Sequence, residues 1–353
     1  MKQLMKRLFL LLSVISICLA GEAQEDVHFS QFFNASPILN PATSGIFHGN
    51  LRFNSHYRQQ WGSISSQPYT TMAASLDLPV LTDVTGHDMF AIGVYGIKDD
   101  AGISQTSTTN VGLNVNFGKA FDPSETHFFS LGMKVNYGQK ALSYDGQWGS
   151  QWNWQLATPD FDVTVPGEYA GEASATYVAV GAGFNWFYTN HDNIRANLGS
   201  AINNINGPSV NYLNRDYSLA RSLYFHGDIE IHSHADNFAV IPRTIIFTQG
   251  KQRYFVLGTA FDFVFKEAGL HTGITKEMTM EFGAYFRWKD AFIFQTQFNW
   301  AGMGIGLSYD VNISKLNGAS RNLGGFEAFL SYKLGYKRGL KDGHSNDRFD
   351  SIH

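Results

Sequence analysis

Cysteine and charge are scarce in this sequence. Of its 353 residues only Cys18 is a cysteine, and 16% are Asp, Glu, Lys or Arg, against about 25% in a typical soluble domain. Beyond that early position no thiol remains, which suits a protein exported into an oxidising compartment. The net charge of -4 gives no basic surface for nucleic acid, so we expect no nucleic-acid partner.

Long hydrophobic runs are also missing. The one apolar run, Leu8–Leu19, is about a dozen residues long, which is too short for a helix that crosses a bilayer. Basic residues precede it and the small residues Ala20 and Ala23 follow it. This order is typical of an export signal, and we predict a cleaved signal peptide over Met1–Ala23.

Sequence signatures of common enzyme classes are absent too. The chain has no Gly-Lys-Ser/Thr phosphate loop and no paired CxxC, so nothing predicts a nucleotide site or a cysteine-based metal site. A hydrolase of the outer membrane would need a Ser and His pair. Both residues are plentiful, but no spacing points to such a pair. We expect no enzyme activity and no cofactor.

The stretch that is most informative is His127–Gly138, HFFSLGMKVNYG. Its apolar residues alternate with Ser, Gly, Lys and Asn, so an extended strand would have one apolar face and one polar, glycine-rich face. The same pattern fills most of the chain, and hardly any helix-period segment is available to cover the apolar faces. Lipid can cover them, which predicts a transmembrane β-barrel.

The pattern gives fourteen strands, an even number that places both ends of a bacterial barrel on one side of the membrane. The ninth is the weakest prediction, because Pro242 removes a ladder donor. The first apolar residues of the fourteen segments are Leu51, Met72, Phe90, Val111, Phe129, Val178, Ile194, Leu223, Ile241, Phe255, Met280, Phe292, Met303 and Phe326.

The chain divides into four predicted regions: the signal peptide, a segment over Gln24–Gly49, the barrel over Asn50–Leu334 and a polar periplasmic tail over Gly335–His353. The segment has apolar anchors among Asn, Pro and Ser, and we expect it to pack on or in the barrel. A mobile leader is the alternative. Long outer connections, Ala141–Ala173 and Asn204–Ala220, alternate with short inner ones, as in outer-membrane barrels.

The eighth strand carries a row of residues that could bind a metal ion. His226, Asp228, Glu230, His232 and His234 are spaced by two and therefore share one face. His and carboxylate side chains on one face are able to bind a divalent cation. The lumen face of a barrel strand is also polar and charged without any metal, and we favour that explanation and expect no metal site.

The first outer insertion is rich in tryptophan. Its sequence YDGQWGSQWNWQ contains Tyr144, Trp148, Trp152 and Trp154. Exposed clustered tryptophans are typical of recognition sites, whereas a loop folded over the barrel mouth would bury them. Both alternatives stay open from the sequence, and we predict Trp148, Trp152 and Trp154 as partner-binding residues.

Several stretches taken together resemble the PorP/SprF family. The run HFSQFFNASPILNPATSG resembles the family's mature N-terminus, HYRQQWGSI resembles its Tyr-Arg-x-Gln-Trp stretch, and GIGLSYDVNISKL with GGFEAFLSYKL resembles its closing hairpin. The chain departs from the family pattern at Ala42–Ser44 and in the Trp-rich insertion. The residues that match the motifs are Phe29, Ser30, Gln31, Asn34, Leu39, Asn40, Pro41, Gly45, Tyr57, Arg58, Gln60 and Trp61.

The resemblance implies an outer-membrane barrel of the Bacteroidota type IX secretion and gliding apparatus. It also implies partners: a large secreted surface adhesin and, for some members, a periplasmic component linked to peptidoglycan.

Fourteen strands enclose space that loops, the N-terminal segment or a partner must fill, since wider barrels leave an aqueous channel. We therefore favour an occluded barrel that binds a partner, with a solute diffusion or uptake channel as the alternative.

Overall fold

The structure, a computed structural model, describes residues 27–62, 67–101, 106–142, 149–155, 160–162, 164–165, 173–190, 192–212, 215–233, 237–266, 278–314 and 322–335. The predicted signal peptide with Cys18 lies outside these residues, as do 336–353 of the predicted tail. Tyr144, Trp148 and His234 also lie outside them.

Fourteen antiparallel strands form a closed barrel, so the predicted all-β fold and the strand count are confirmed. The first strand pairs with the last, from Leu51 with Leu334 to Gln60 with Gly325. The barrel strands are β1 (Leu51–Gln60), β2 (Tyr69–Thr82), β3 (Asp88–Ala101), β4 (Thr106–Ala120), β5 (His127–Leu142), β8 (Ala173–Thr189), β9 (Ile194–Asn203), β12 (Ser222–His232), β13 (Phe238–Gln249), β14 (Gln252–Lys266), β15 (Met278–Arg287), β16 (Ala291–Trp300), β17 (Met303–Asn312) and β18 (Leu323–Leu334).

Alternation of side chains along each strand separates an apolar outer surface from a polar interior. On β5 the residues Leu131, Met133 and Val135 are more than half exposed, whereas Ser130 and Lys134, which alternate with them, are buried. Pro242 lies within β13, and the β12–β13 ladder has no paired residues between Asp228–Arg243 and Ile231–Val240. The barrel therefore accommodates the proline as a local gap in one ladder, because proline has no N–H to donate.

The connections differ in length at the two ends of the barrel. One end has short turns, such as those over residues 83–87 and 301–302. The other end, which the outer-membrane pattern places outside the cell, has the connections over 143–172 and 204–221. These contain two small hairpins, β6 (Trp152–Asn153) with β7 (Asp160–Phe161) and β10 (Ser209–Tyr212) with β11 (Arg215–Ser218). None of the helices among the described residues could cross a membrane.

We expect an arginine in the middle of the outward face to be costly. Val115 lies near the centre of β4 and faces outward, and Val115→Arg should lower the free energy of unfolding by about 2 to 4 kcal/mol, the usual cost of arginine at the bilayer midplane. Thr109→Arg, on the same face near the outer end of β4, should cost about 0 to 1 kcal/mol. Urea unfolding in lipid vesicles measures both, and equal costs would contradict this assignment of the membrane band.

Candidate functional site in the barrel lumen

The lumen is occupied by the chain's own N-terminal segment. Residues 27–49 contain a short helix, α1 (Ser36–Leu39), followed by a 3-10 turn over Pro41–Thr43. The segment runs from His28, near the outer end of β1 and β14, to Gly49, next to the periplasmic end of β18. Its apolar anchors lie inside the barrel, with Phe29, Phe32, Ile38 and Leu39 all under 5% exposed.

Three apolar clusters of the barrel wall pack on this segment. Phe32 and Leu39 lie in the largest cluster, together with Ile241, Ile245 and Phe247 of β13. These β13 side chains face inward, so the apolar residues by which the ninth strand was predicted line the lumen and do not contact lipid, whereas Ile246 between them faces outward. Of the other two clusters, one forms around Ile46 and one around Phe29 and Ile38.

Four charged side chains hold the outer part of the segment, and we call them the outer clamp: Arg58, Arg287, Asp310 and Glu327. The two carboxyl groups of Glu327 and Asp310 accept hydrogen bonds from the segment. The Ser30 amide donates to Glu327 Oε2 at 2.7 Å and the Gln31 amide to Glu327 Oε1 at 3.0 Å. The Ser30 hydroxyl donates to Asp310 Oδ1 at 2.7 Å.

The two arginines of the outer clamp balance the two acids. Arg287 Nη2 and Arg58 Nη2 lie 2.8 and 3.3 Å from Asp310 Oδ2, and Arg58 Nη1 lies 3.5 Å from Glu327 Oε2. Arg58 Nη1 also donates to the carbonyl oxygen of His28 at 3.0 Å. All four side chains of the clamp are nearly inaccessible to solvent, so each charge depends on these partners.

The middle of the segment is held by polar side chains of the inner barrel face. Asn114 donates to the Pro37 carbonyl at 2.7 Å, Asn116 to the Ala42 carbonyl at 2.9 Å and Lys134 to the Ile38 carbonyl at 3.0 Å. A buried irregular segment needs partners for its backbone groups, and the inward polar residues supply them. An arginine at Asn114, which the sequence alone would tolerate as lumen-facing, is therefore expected to be disruptive.

At the periplasmic end a second ion pair completes the attachment. Arg52 Nη2 lies 2.8 Å from Asp77 Oδ2, and the same oxygen accepts a hydrogen bond of 2.7 Å from the Gly45 amide. Arg52 also donates to the carbonyl oxygens of Thr43 and Ile46. The segment is thus bound at its outer part, its middle and its periplasmic part.

The family-motif residues of the N-terminal run lie along this segment. Asn40 caps the 3-10 turn by accepting from the Ala42 amide at 3.0 Å and donates to the Phe184 carbonyl at 3.0 Å. Asn34 Nδ2 donates to Gln297 at 2.9 Å. The buried motif residues of the run are Phe29, Ser30, Gln31, Leu39, Asn40, Pro41 and Gly45.

The remaining motif residues lie on β1 or directly after it, and the N-terminal segment leads into this strand. Tyr57 faces outward and Arg58 faces the lumen. Trp61 follows β1 at the outer rim, where its ring packs edge-on to Tyr69 at 5.0 Å between ring centroids. Asp310 and Glu327 belong to the Ser-Tyr-Asp and Phe-Glu stretches, so three separate motifs meet in the outer clamp. No sequence motif marked Arg287, although its position between outward Phe286 and Trp288 is a signal for an inward charge.

The row on β12 is held by neighbouring side chains of the protein. His226 Nε2 lies 3.0 Å from Asn40 Nδ2, Asp228 accepts from Asn197 at 3.1 Å, and Glu230 lies 2.7 Å from His232. Among the described residues, the one group of three or more metal-ligand side chains with all their ligand atoms within 4.8 Å of one another is elsewhere, at Asp83, His87 and Glu125 on two periplasmic turns. His234 lies outside the described residues.

The outer insertions lie at the mouth of the barrel. Trp154 is 76% exposed, whereas the Trp152 ring packs against Phe161 at 4.9 Å between centroids. In the second insertion Val210 and Leu219 are buried against inward residues of β8, including Tyr177. The β10–β11 hairpin therefore folds over part of the lumen, and Trp154 remains accessible from outside.

Comparison with models of known protein families identifies the family of this chain. A family model described as the type IX secretion system membrane protein PorP/SprF matches residues 21–332. No curated protein sequence matches the chain.

Solved structures share the barrel architecture at low sequence identity. The toluene transporter TbuX of Ralstonia pickettii is 12% identical with a TM-score of 0.46, over 86% of this chain and 94% of that one. A FadL homologue of Pseudomonas aeruginosa is 8% identical with a TM-score of 0.49, over 85% and 94% of the two chains. Similarity at this level concerns the fold and says nothing about transport.

Proposed function

Because this chain belongs to the PorP/SprF family of type IX secretion system membrane proteins, we propose that it is a non-enzymatic barrel that binds a partner of that system. The proposed partner is a large secreted surface adhesin, whose export it assists or which it anchors at the cell surface. A periplasmic component linked to peptidoglycan is a further proposed partner on the opposite side.

The protein is an outer-membrane β-barrel. Its strands close on themselves, so every barrel strand has a neighbour on both sides. Its outward side chains are mainly apolar, and outer-membrane lipid is the solvent that such a surface requires. Both the closed wall and the family place the molecule in the membrane, where the secretion system operates.

The filled lumen is the observation that supports partner binding over solute transport. A diffusion channel needs a continuous aqueous path, but here residues 27–49 cross the lumen and are hydrogen-bonded to charged side chains of the wall near both ends. The wall side chains that bind the segment are themselves fixed in buried ion pairs. Removing one partner of such a pair typically costs about 3 to 5 kcal/mol, so these binding groups stay in place. A barrel with its lumen filled in this way has no open path for solutes, but its two ends present surfaces to which a protein partner can bind.

We predict that the Trp-rich insertion carries much of the binding energy for the surface partner. Large aromatic anchors dominate many interfaces, and replacing Trp148, Trp152 and Trp154 together with Ala should reduce partner recovery about tenfold or more, which corresponds to roughly 1.4 kcal/mol. The barrel should stay folded, because no membrane strand changes. Pull-down from solubilised membranes measures the first quantity and heat-modifiable gel mobility the second.

Trp186→Ala is the matched control, because Trp186 lies on the outward face of β8 near the periplasmic end. It should leave recovery of the surface partner unchanged. A folded triple variant that retains its partner at the wild-type level would remove this insertion from the binding site.

Planar-bilayer recordings distinguish the proposed function from the alternative, a solute channel. A solute channel would conduct ions steadily, whereas the proposed closed barrel would not.

A further inference from the structure

A polar cavity remains between the N-terminal segment and the inner wall of the barrel. Its volume is about 130 Å³. Phe32, Phe33 and Leu39 of the segment line one side, and β8, β9, β12 and β13 contribute polar side chains to the other. Its lining includes Arg195 and Glu230, near the periplasmic ends of β9 and β12, so we place its entrance on the periplasmic side.

Asn185 is an unpartnered polar side chain in the wall of this cavity. The residue is 1% exposed, and neither its Oδ1 nor its Nδ2 has a hydrogen-bond partner. The opposite strand has glycine at the neighbouring position, Gly199, where a Cβ would lie 2.8 Å from Asn185 Oδ1. A buried amide without partners is costly, so the site calls for a molecule that offers both a donor and an acceptor.

Among the described residues that line the cavity, one carboxyl group has no ion-pair partner within 4 Å. Arg52 pairs with Asp77, Arg195 with Glu230 and Arg243 with Glu281. Asp228 lines the same cavity and forms none of the ion pairs within 4 Å among the described residues. Arg243 lies opposite it in the ladder, but that guanidinium donates to Glu281 and to the Tyr285 hydroxyl. Within the described part of the chain, the one hydrogen bond that Asp228 accepts comes from Asn197.

We propose that this cavity binds a small hydroxylated primary amine that enters from the periplasm. Its ammonium group would donate to Asp228, and its hydroxyl groups would pair with the Asn185 amide, which needs both a donor and an acceptor. A cavity of roughly 150 Å³ holds one six-membered ring such as benzene, so the 130 Å³ of this cavity suits a ligand of about one ring. This site is independent of the proposed partner-binding function.

Glucosamine is a suitable probe, because it combines an ammonium group with hydroxyl groups. We expect calorimetric titration into the full-length barrel in detergent to show saturable binding at one site. Glucose and N-acetylglucosamine lack the ammonium group, and we expect their affinity to be lower than that of glucosamine by a factor of about ten or more. The reason is that charge-assisted hydrogen bonds are roughly twice as strong as neutral ones.

Two variants locate the site, and a third is the control. Asp228→Asn and Asn185→Ala should each weaken glucosamine binding about tenfold, which is roughly 1.4 kcal/mol. Asp99→Asn removes another lumen carboxyl group, which accepts from Thr71 and does not line the cavity, and should have no effect.

Three outcomes would overturn the proposal. They are the absence of saturable binding to the wild-type barrel, equal affinity for glucosamine and glucose, and unchanged binding in a folded Asp228→Asn variant. The comparison of the three sugars uses the wild-type protein alone, so it decides the question even if a variant fails to fold.

Discussion

Replacing Asp310 with leucine is expected to lower the free energy of unfolding by about 3 to 5 kcal/mol, the usual cost of breaking a buried ion pair. Asp310 accepts from the Ser30 hydroxyl and lies within ion-pair distance of both Arg58 and Arg287. Its loss leaves two buried cations with fewer partners and frees the outer part of the N-terminal segment. Urea unfolding in lipid vesicles measures the stability, and hydrogen exchange at residues 28–34 measures the release.

Asp290→Asn is the matched control for this prediction. Asp290 also pairs with Arg287, at 3.0 Å, but its side chain is 48% exposed. Exposed ion pairs contribute about 0 to 1 kcal/mol, so this variant should be close to wild type in both measurements. Similar losses of stability in the two variants would show that burial does not set the strength of the outer clamp.

A second large effect is expected from Gly132→Leu on the inner face of β5. A Cβ at Gly132 would lie 2.3 Å from the Ala42 nitrogen and 2.4 Å from the Pro41 carbonyl carbon, so the 3-10 turn must move. Overpacking of this kind costs about 1 to 3 kcal/mol or more. Because the turn lies in the middle of the segment, its displacement should also open a path for ions, which planar-bilayer recordings would detect as a steady conductance.

Gly96→Leu provides the comparison, since a Cβ there meets nothing within 4 Å. It adds the same side chain to the outward face of β3 and should change neither stability nor conductance. If Gly132→Leu stayed closed and kept wild-type hydrogen exchange over residues 37–45, the close approach of the turn to β5 would be wrong. Together with Asp310→Leu, this pair tests whether the segment or the barrel wall alone closes the lumen.

The sequence by itself determined the barrel. A strand repeats every two residues, so each stretch such as His127–Gly138 shows its apolar and polar faces without reference to the rest of the chain. The number of strands, the lipid-facing residues of thirteen strands and the long outer connections follow from that local pattern, and the structure agrees with them. The ninth strand is the exception, because Ile241, Ile245 and Phe247 face the lumen. Even the Pro242 strand is present, because one missing donor interrupts a single ladder locally.

The interior was decided only by the tertiary structure. The outer clamp joins Ser30 to Glu327 and Asp310, which are separated from it by 297 and 280 residues along the chain. Arg58 and Glu327 meet because β1 pairs with β18 when the barrel closes, and Ser30 reaches them because the N-terminal segment enters the lumen. Contacts over such separations are not contained in a period-two pattern. The resemblance marked Ser30 and Arg58 as motif residues, but it could not say that they bind each other.

The residues that line the lumen cavity could not be predicted from the sequence either. Asn185 and Asp228 follow the inward alternation of their strands, as dozens of other polar residues do. Which inward side chains find partners depends on how the N-terminal segment fills the lumen, and this is set by packing against the whole wall at once. A sequence pattern therefore fixes the face on which a residue lies, whereas only the folded barrel decides which of these residues remain available for a ligand.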